Sequence, residues 1–207
     1  MDIAVNLVES YLRLTGFFTL SEMEVHAEAE DGTYRTVTDV DIAALRFPGE
    51  TLIAETDLPG RHRMLVAEDP VLLLEDGVID LIIGEVKQGD ALFNPGLRSH
   101  PTLQSVLRRV EWLYHDGIAQ PIEDLIEHCV SWAPARGGGR IRARLVAFGQ
   151  APENDLHTVN LAHILETMTG FMERYDHVLR PHNFSDPAPA LLQLLQKVGL
   201  HLTPEPE

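Results

Sequence analysis

Residues 78–87 read VIDLIIGEVK. The stretch is almost continuously apolar and ends in charge. Such a run without alternation is the pattern of a strand buried on both faces, hence central in its sheet. Side chains two apart share a strand face, so Glu85 and Lys87 point one way. Asp80 has the opposite parity and points the other way. An unpaired charge in such surroundings is expensive, so each of these groups requires a partner or a metal ion.

Upstream, residues 17–29 and 33–47 read as two strands, with Glu30-Asp31-Gly32 between them as a hairpin signal. The second strand contains TDVDIAALRF, carrying Asp39 and Asp41. A carboxylate from this neighbour completes a logical set of two acids for a hard cation and one ammonium for a phosphate or a water. Asp39 shares the face of Asp41 and competes with it for that role. Residues 2–15 read as a helix capped by Asp2 and stopped by Gly16. Pro48-Gly49, Pro59-Gly60, Asp69-Pro70 and Asp76-Gly77 punctuate residues 48–77, which read as an insertion within the domain.

Downstream comes a loop with Gly89, Asn94, Pro95 and Gly96, then a helix opened by Pro101. Pro121 opens a short helix to Val130, and Gly137-Gly138-Gly139 precede a strand at 140–149. A long helix is expected from Leu156 to Leu179, and a last one from Asp186-Pro187 to Gly199, before a frayed tail. Alternation after the hairpin implies an α/β fold with a mixed sheet and helices on both faces. The expected organisation is a core over residues 1–150, with a helical segment at 151–207 packed on the same domain.

The chain has 207 residues, 44% hydrophobic and 23% charged, which suits one globular domain. No apolar run reaches the roughly 18 residues of a membrane span. The first residues carry Asp2 and Glu9 and no basic region, so they do not read as a secretory signal. Cys129 is the sole cysteine, which excludes an intrachain disulfide and a cysteine-based zinc site. A cytoplasmic protein is the expectation. The net charge of −16 argues against indiscriminate phosphate binding, which depends on Lys and Arg. A carboxylate pocket can still attract phosphate once a cation is bound.

Asp41-Ile42-Ala43-Ala44 and Glu85-Val86-Lys87-Gln88 together resemble the PD-(D/E)xK nuclease superfamily. The opening helix with an acid, here Glu9, is similar to the resolvase and RecB-like branches. The resemblance covers about residues 1–150. It implies a restriction-endonuclease-like core in which Asp41 and Glu85 ligate Mg²⁺ or Mn²⁺. Lys87 would position or activate the attacking water and steady negative charge. Glu9 would add an outer-shell or second-metal contact, and Gln104 would assist from the following helix. The implied reaction is phosphodiester hydrolysis, on DNA rather than RNA. Two features depart from the pattern: Val40 stands where a proline would precede the acid, and Asp41 and Glu85 lie 44 positions apart.

Bland readings stand beside these. Glu85 and Lys87 fit a solvated strand end with a surface ion pair, and Glu9 a solvated helix face. Arg140, Arg142 and Arg144 share one strand face, which suits either phosphate contact or an exposed, charge-protected edge. The ten histidines read as surface or helix-end residues, and Arg61-His62-Arg63 as a loop or binding patch. The Gly137–Gly139 run lacks a phosphate-loop pattern. The Leu/Met stripe of the long helix reads as core or dimer surface. The alternative to an enzyme is a catalytically silent scaffold of the same fold, binding a protein partner through its acidic surface; a homodimer is a further possible assembly. A third possibility is an unrelated α/β domain with a chance E-x-K match.

Overall fold

The computed structural model describes residues 2–28, 31–49, 66–179 and 184–200. The turn at Pro59-Gly60, the Arg61-His62-Arg63 patch, His182 and the tail from His201 lie outside the described residues. Helix α1 (Ile3–Leu14) leads into strands β1 (Phe18–Glu28) and β2 (Tyr34–Arg46), and then β3 (Val78–Asp90). Helices α2 (His100–Leu107) and α3 (Ala119–His128) follow, with a 3-10 helix at Arg108–Leu113 between them. Strands β4 (Val130–Pro134), β5 (Arg140–Gln150) and β6 (Thr158–Asn160) precede α4 (Leu161–Arg174), α5 (Asp176–Leu179) and α6 (Pro187–Lys197).

The sheet is mixed, in the order β1-β2-β3-β5-β4, with β6 also on β5. β1, β2 and β3 run antiparallel, and β3 pairs with β5 in parallel through the α2–α3 crossover. β3 is therefore central, as its apolar run predicts, and helices cover both faces. On one face Ile82, Val86, Val146 and Phe148 pack under α1, α4 and α6. On the other Leu81, Ile83, Ala143 and Leu145 pack under α2 and α3. Each fully buried aliphatic side chain contributes about 1.5–3 kcal/mol. The Ile164–Met168–Met172 stripe of α4 belongs to the first core. Residues 66–77 also lie against it: Leu72 is fully buried, and the Ala67 N–H donates to Leu14 O at 2.8 Å. No helix among the described residues is long and apolar enough to cross a membrane.

Two local readings change. The long helix starts at Leu161, five residues after Leu156, because the Asn160 side chain accepts from Ala162 N at 2.8 Å and caps it there. Asp155 Oδ1 accepts from His157 N and Thr158 N, folding the preceding residues into a turn. Strand β4, ending in Pro134, went unread after Pro121; its five residues lie at the sheet edge, where proline is tolerated.

The arginines of β5 require a larger correction. Only Arg140 is exposed; Arg142 and Arg144 are 3% and 0% exposed. β3 pairs with β5 so that Asp80 lies opposite Arg142. Asp80 accepts from Arg142 Nη2 at 2.5 Å and from Arg144 Nη2 at 3.0 Å. Arg142 also donates to Leu73 O, and Arg144 to Leu72 O and Leu156 O. Neither residue can contact a nucleic acid, and β5 is not an edge.

A second buried acid ties residues 66–77 to the helices. Asp69 Oδ2 accepts from Tyr11 OH at 2.7 Å and lies 2.7 Å from His163 Nε2. His163 is thus a structural partner, not a surface residue. Burial pushes the Asp69 carboxyl up, but hydrogen bonds from Tyr11, His163 and the Val71 N–H outweigh it and hold the group below its ordinary value.

Breaking one partner of a buried ion pair costs about 3–5 kcal/mol, so Asp80→Ala should lose that much in denaturant unfolding. Asp69→Asn should cost about 1.5–3 kcal/mol at neutral pH. The folded-state Asp69 carboxyl is depressed, so its contribution is present above the unfolded value and lost as pH falls through the folded one. The variant should therefore lose stability less steeply on acidification than the wild type, measured by denaturant midpoints across the acid range.

Candidate functional site

β3 carries its acid at the point where the strand leaves the core. Glu85 and Val86 are buried, and Lys87 onward is exposed. The residue before Glu85 must be glycine: a Cβ on Gly84 would lie 2.6 Å from Ile42 Cγ2 and 2.8 Å from Phe148 Cε2. Close approach of β2 and β5 to Gly84 clamps the segment that holds Glu85.

β2 brings Asp41 to the same place. Ile42 pairs with Gly84, so Asp41 arrives beside Glu85 and Val86. Its Oδ2 accepts from the Val86 N–H at 2.6 Å. The regular in-and-out alternation of β2 breaks here: Val40 packs in the core under α2 and α3, whereas Ile42 packs in the opposite core. Glu22, across from Asp41 between the pairs Ser21–Ile42 and Met23–Val40, has φ 51°. A non-glycine residue in that conformation costs about 1–3 kcal/mol, and such strain concentrates at functional sites.

Glu85 is 2% exposed. Lys87 Nζ donates to its Oε1, whereas Oε2 is buried with no hydrogen-bond partner. Burial raises the Glu85 carboxyl above its ordinary value; the Lys87 hydrogen bond opposes this, and the charge of Asp41 adds to it. Burial likewise raises the Asp41 carboxyl, against the pull of the Val86 N–H and with the help of Asp39. The hydrogen bond to Glu85 raises Lys87 as well, so that it holds its proton more firmly than a free lysine.

Beside Asp41 and Lys87 opens a cavity of about 720 Å³, which the buried Glu85 does not line; its charged lining is Asp2, Glu22, Glu24, Asp39, Asp41 and Lys87. Five of those six are acids. Glu24 and Asp39 are direct cross-strand partners, a like-charge pairing that destabilises a sheet. Gln88 Nε2 reaches both oxygens of Asp2 at 3.3 Å, joining the end of β3 to the start of α1. Among the described residues, no three His, Cys, Asp or Glu side chains converge tightly enough to cage a metal ion. What is present is an open arrangement of two carboxylates with one orphaned oxygen.

Asp41, Glu85 and Lys87 are thus brought together; Glu9 and Gln104 are not. Helix α1 is buried along Ala4–Leu12, so Glu9 has no solvated face, and its carboxylate accepts from Arg13 Nη2 at 2.6 Å and Thr19 Oγ1 at 3.0 Å. Gln104 sits half-buried on α2 and does not line the cavity. Asp39 is exposed at the rim. Sequence reading missed Asp2, Glu22, Glu24 and Gly84. Counting back from the hairpin places Glu24 opposite Thr38; a register shift between Val25 and His26 brings Asp39 there instead, and no local pattern signals it.

No protein-family model matches the chain, and no curated protein or solved structure matches it. The described residues define a mixed α/β protein with an open mixed sheet flanked by helices and an acidic cavity at the end of the central strand.

Overpacking a close-packed core costs about 1–3 kcal/mol. Gly84→Ala should lower stability by that amount in urea unfolding, whereas alanine at Gly89, which has open space around it, should leave the midpoint nearly unchanged.

Proposed function

We propose that the chain is a restriction-endonuclease-like, metal-dependent nuclease that hydrolyses phosphodiester bonds in nucleic acid, DNA in preference to RNA. The observation that carries this reading is the hydrogen bond from the Val86 N–H to Asp41, which holds an acid of β2 beside the Glu85–Lys87 pair of β3. The order of elements supports it: a helix, three antiparallel strands, then a crossover through α2, α3 and the edge strand β4 to β5, which runs parallel to β3.

A divalent cation suits the residues present. Two carboxyls are raised by burial and by neighbouring acids, and Glu85 Oε2 lacks a partner among the described residues. Mg²⁺ is commonly held by one or two carboxylates, with waters and substrate phosphate completing its shell, so a full protein cage is not required. Asp41 and Glu85 would hold the Mg²⁺ or Mn²⁺. When bound, such an ion polarises a phosphoryl oxygen and lowers the pKa of its water. Asp41 is oriented by the Val86 N–H and presents its other oxygen. Lys87 keeps its proton, so its part is to place the water and steady charge on the phosphate rather than to accept a proton.

The acidic lining favours a second reading. With five acids around the cavity and Lys87 already engaged by Glu85, the same fold can serve as a silent scaffold for a protein partner. Mn²⁺ calorimetry and cleavage assays on single-stranded, duplex and branched substrates separate the two. A nuclease should bind Mn²⁺ and lose that binding in Asp41→Ala. Lys87→Ala should lower metal-dependent cleavage by about 10²–10³-fold, the loss typical of removing one charge-stabilising donor. A folded wild-type chain that neither binds Mn²⁺ nor cleaves any substrate would remove the nuclease and leave the scaffold.

A further inference from the structure

At the opposite end of the same strands lies a second cleft, of about 430 Å³, and its chemistry is the inverse of the first. Ile79 and Leu113 form its floor, Phe47 and Trp112 its aromatic walls, and Arg136 with Gly138 its rim. Among the described residues, no carboxylate lines it. Trp112 is 61% exposed and Phe47 41% exposed, although both sit against apolar surface. Ile79 and Glu85 lie on one strand, so the cleft is about 20 Å from the carboxylates at roughly 3.3 Å per residue.

Arginine distribution sharpens the contrast. Arg13, Arg35, Arg140, Arg142 and Arg144 all pair with acids. Arg109 and Arg136 are exposed, and neither has an ion pair among the described residues. Arg109 belongs to the 3-10 helix Arg108–Leu113, in which residues three apart eclipse one another. It therefore lies directly beside Trp112, while Val110 and Leu113 turn inward. Glu111, the acid next to Trp112, falls on the third side. Arg98 and Arg108 are likewise exposed without an ion pair among the described residues; of these four, Arg136 lines the aromatic cleft and Arg109 shares the 3-10 helix of Trp112.

We infer that this cleft binds a single-stranded segment of nucleic acid, with bases stacked on Trp112 and Phe47 and phosphates on Arg109 and Arg136. An aromatic platform beside cations takes unstacked bases, whatever their identity, and a duplex does not offer them. The inference deepens the nuclease reading and rests on it: the acidic catalytic cavity repels a polyanion, so affinity must come from elsewhere on the surface. A single strand held here would run along the molecule toward Asp41 and Glu85.

The test is fluorescence anisotropy of a dye-labelled oligothymidylate with the full chain in EDTA, so that binding is read without cleavage. Trp112→Ala should weaken binding about tenfold, the usual loss of one stacking platform, and Trp112→Phe should restore most of it. Arg136→Ala should weaken binding and reduce the slope of log affinity against log salt by about 0.7, the value for one phosphate contact on a single strand. A duplex of the same sequence should bind more weakly than the single strand. Circular dichroism and thermal unfolding confirm that these surface variants remain folded. Wild-type affinity in both Trp112→Ala and Arg136→Ala, or no binding by the wild type, overturns the assignment. So does capture of a proline-rich peptide through Trp112 with no oligonucleotide binding. Lys87→Ala separates the two readings, because it should lower cleavage about 10²–10³-fold while oligonucleotide affinity in EDTA, read at the distant cleft, stays close to wild type. Cleavage that persists in Trp112→Ala with unchanged affinity would discard the cleft and keep the nuclease.

Discussion

A strand covered on both faces has no water to solvate a charge, and β3 carries two acids within that covered stretch. Asp80 and Glu85 are each almost fully buried, and opposite parity sends them to opposite faces. Their fates differ. Asp80 meets two guanidinium groups, which also bond to the carbonyls of Leu72 and Leu73. That charge is compensated, and its network joins β3, β5 and the segment before β3. Glu85 meets one ammonium on one oxygen and nothing on the other. It is further opposed by Asp41, delivered by the next strand. One end of the strand is finished as structure, and the other is left electrostatically incomplete.

That asymmetry separates stability from function within a single element. A buried acid that only served the fold would gain nothing from a like-charged neighbour, and replacing it would relieve repulsion. The Glu85–Asp41 juxtaposition is instead maintained by devices with their own costs. Gly84 permits the close approach, the Val86 N–H is given to Asp41, and Glu22 adopts a left-handed conformation across from it. Stability is commonly sacrificed in this way where a site must present charge to a ligand.

Periodicity made part of this legible. The unbroken apolar run identified β3 as central, and parity placed Glu85 with Lys87 and away from Asp80. The hairpin at Asp31-Gly32 and the Asp2 cap of α1 followed from local turn and cap chemistry. What failed was any inference about which face another element covers. Arg142 and Arg144 alternate with apolar residues as an exposed strand would, but Asp80 neutralises them across a register that no local pattern encodes. His163 meets Asp69 from 94 positions away. Glu9 looked solvated because a charge implies water; α4 and α6 cover that helix, and Arg13 supplies the compensation instead.

The charge of −16 bears on function only through its distribution. Around Asp41 the acids stand in register across the hairpin, Glu24 against Asp39, so repulsion there is built into the pairing of β1 with β2. A dication near Asp41 would convert that repulsion into attraction and give the cavity a positive centre. The same acids would then discourage any phosphate not directly facing the ion, since screening reduces unspecific attraction but leaves close contacts strong. Affinity for a polyanion must in that case be supplied at a distance, where acids are absent and cations unpaired. Among the described residues, such a surface lies at the other end of β3, beside Trp112 and Arg136. On the proposed reading, a site that repelled its substrate until a cation arrived, joined through a strand to a surface that held the substrate without one, would make the net charge a means of selectivity rather than an obstacle to binding.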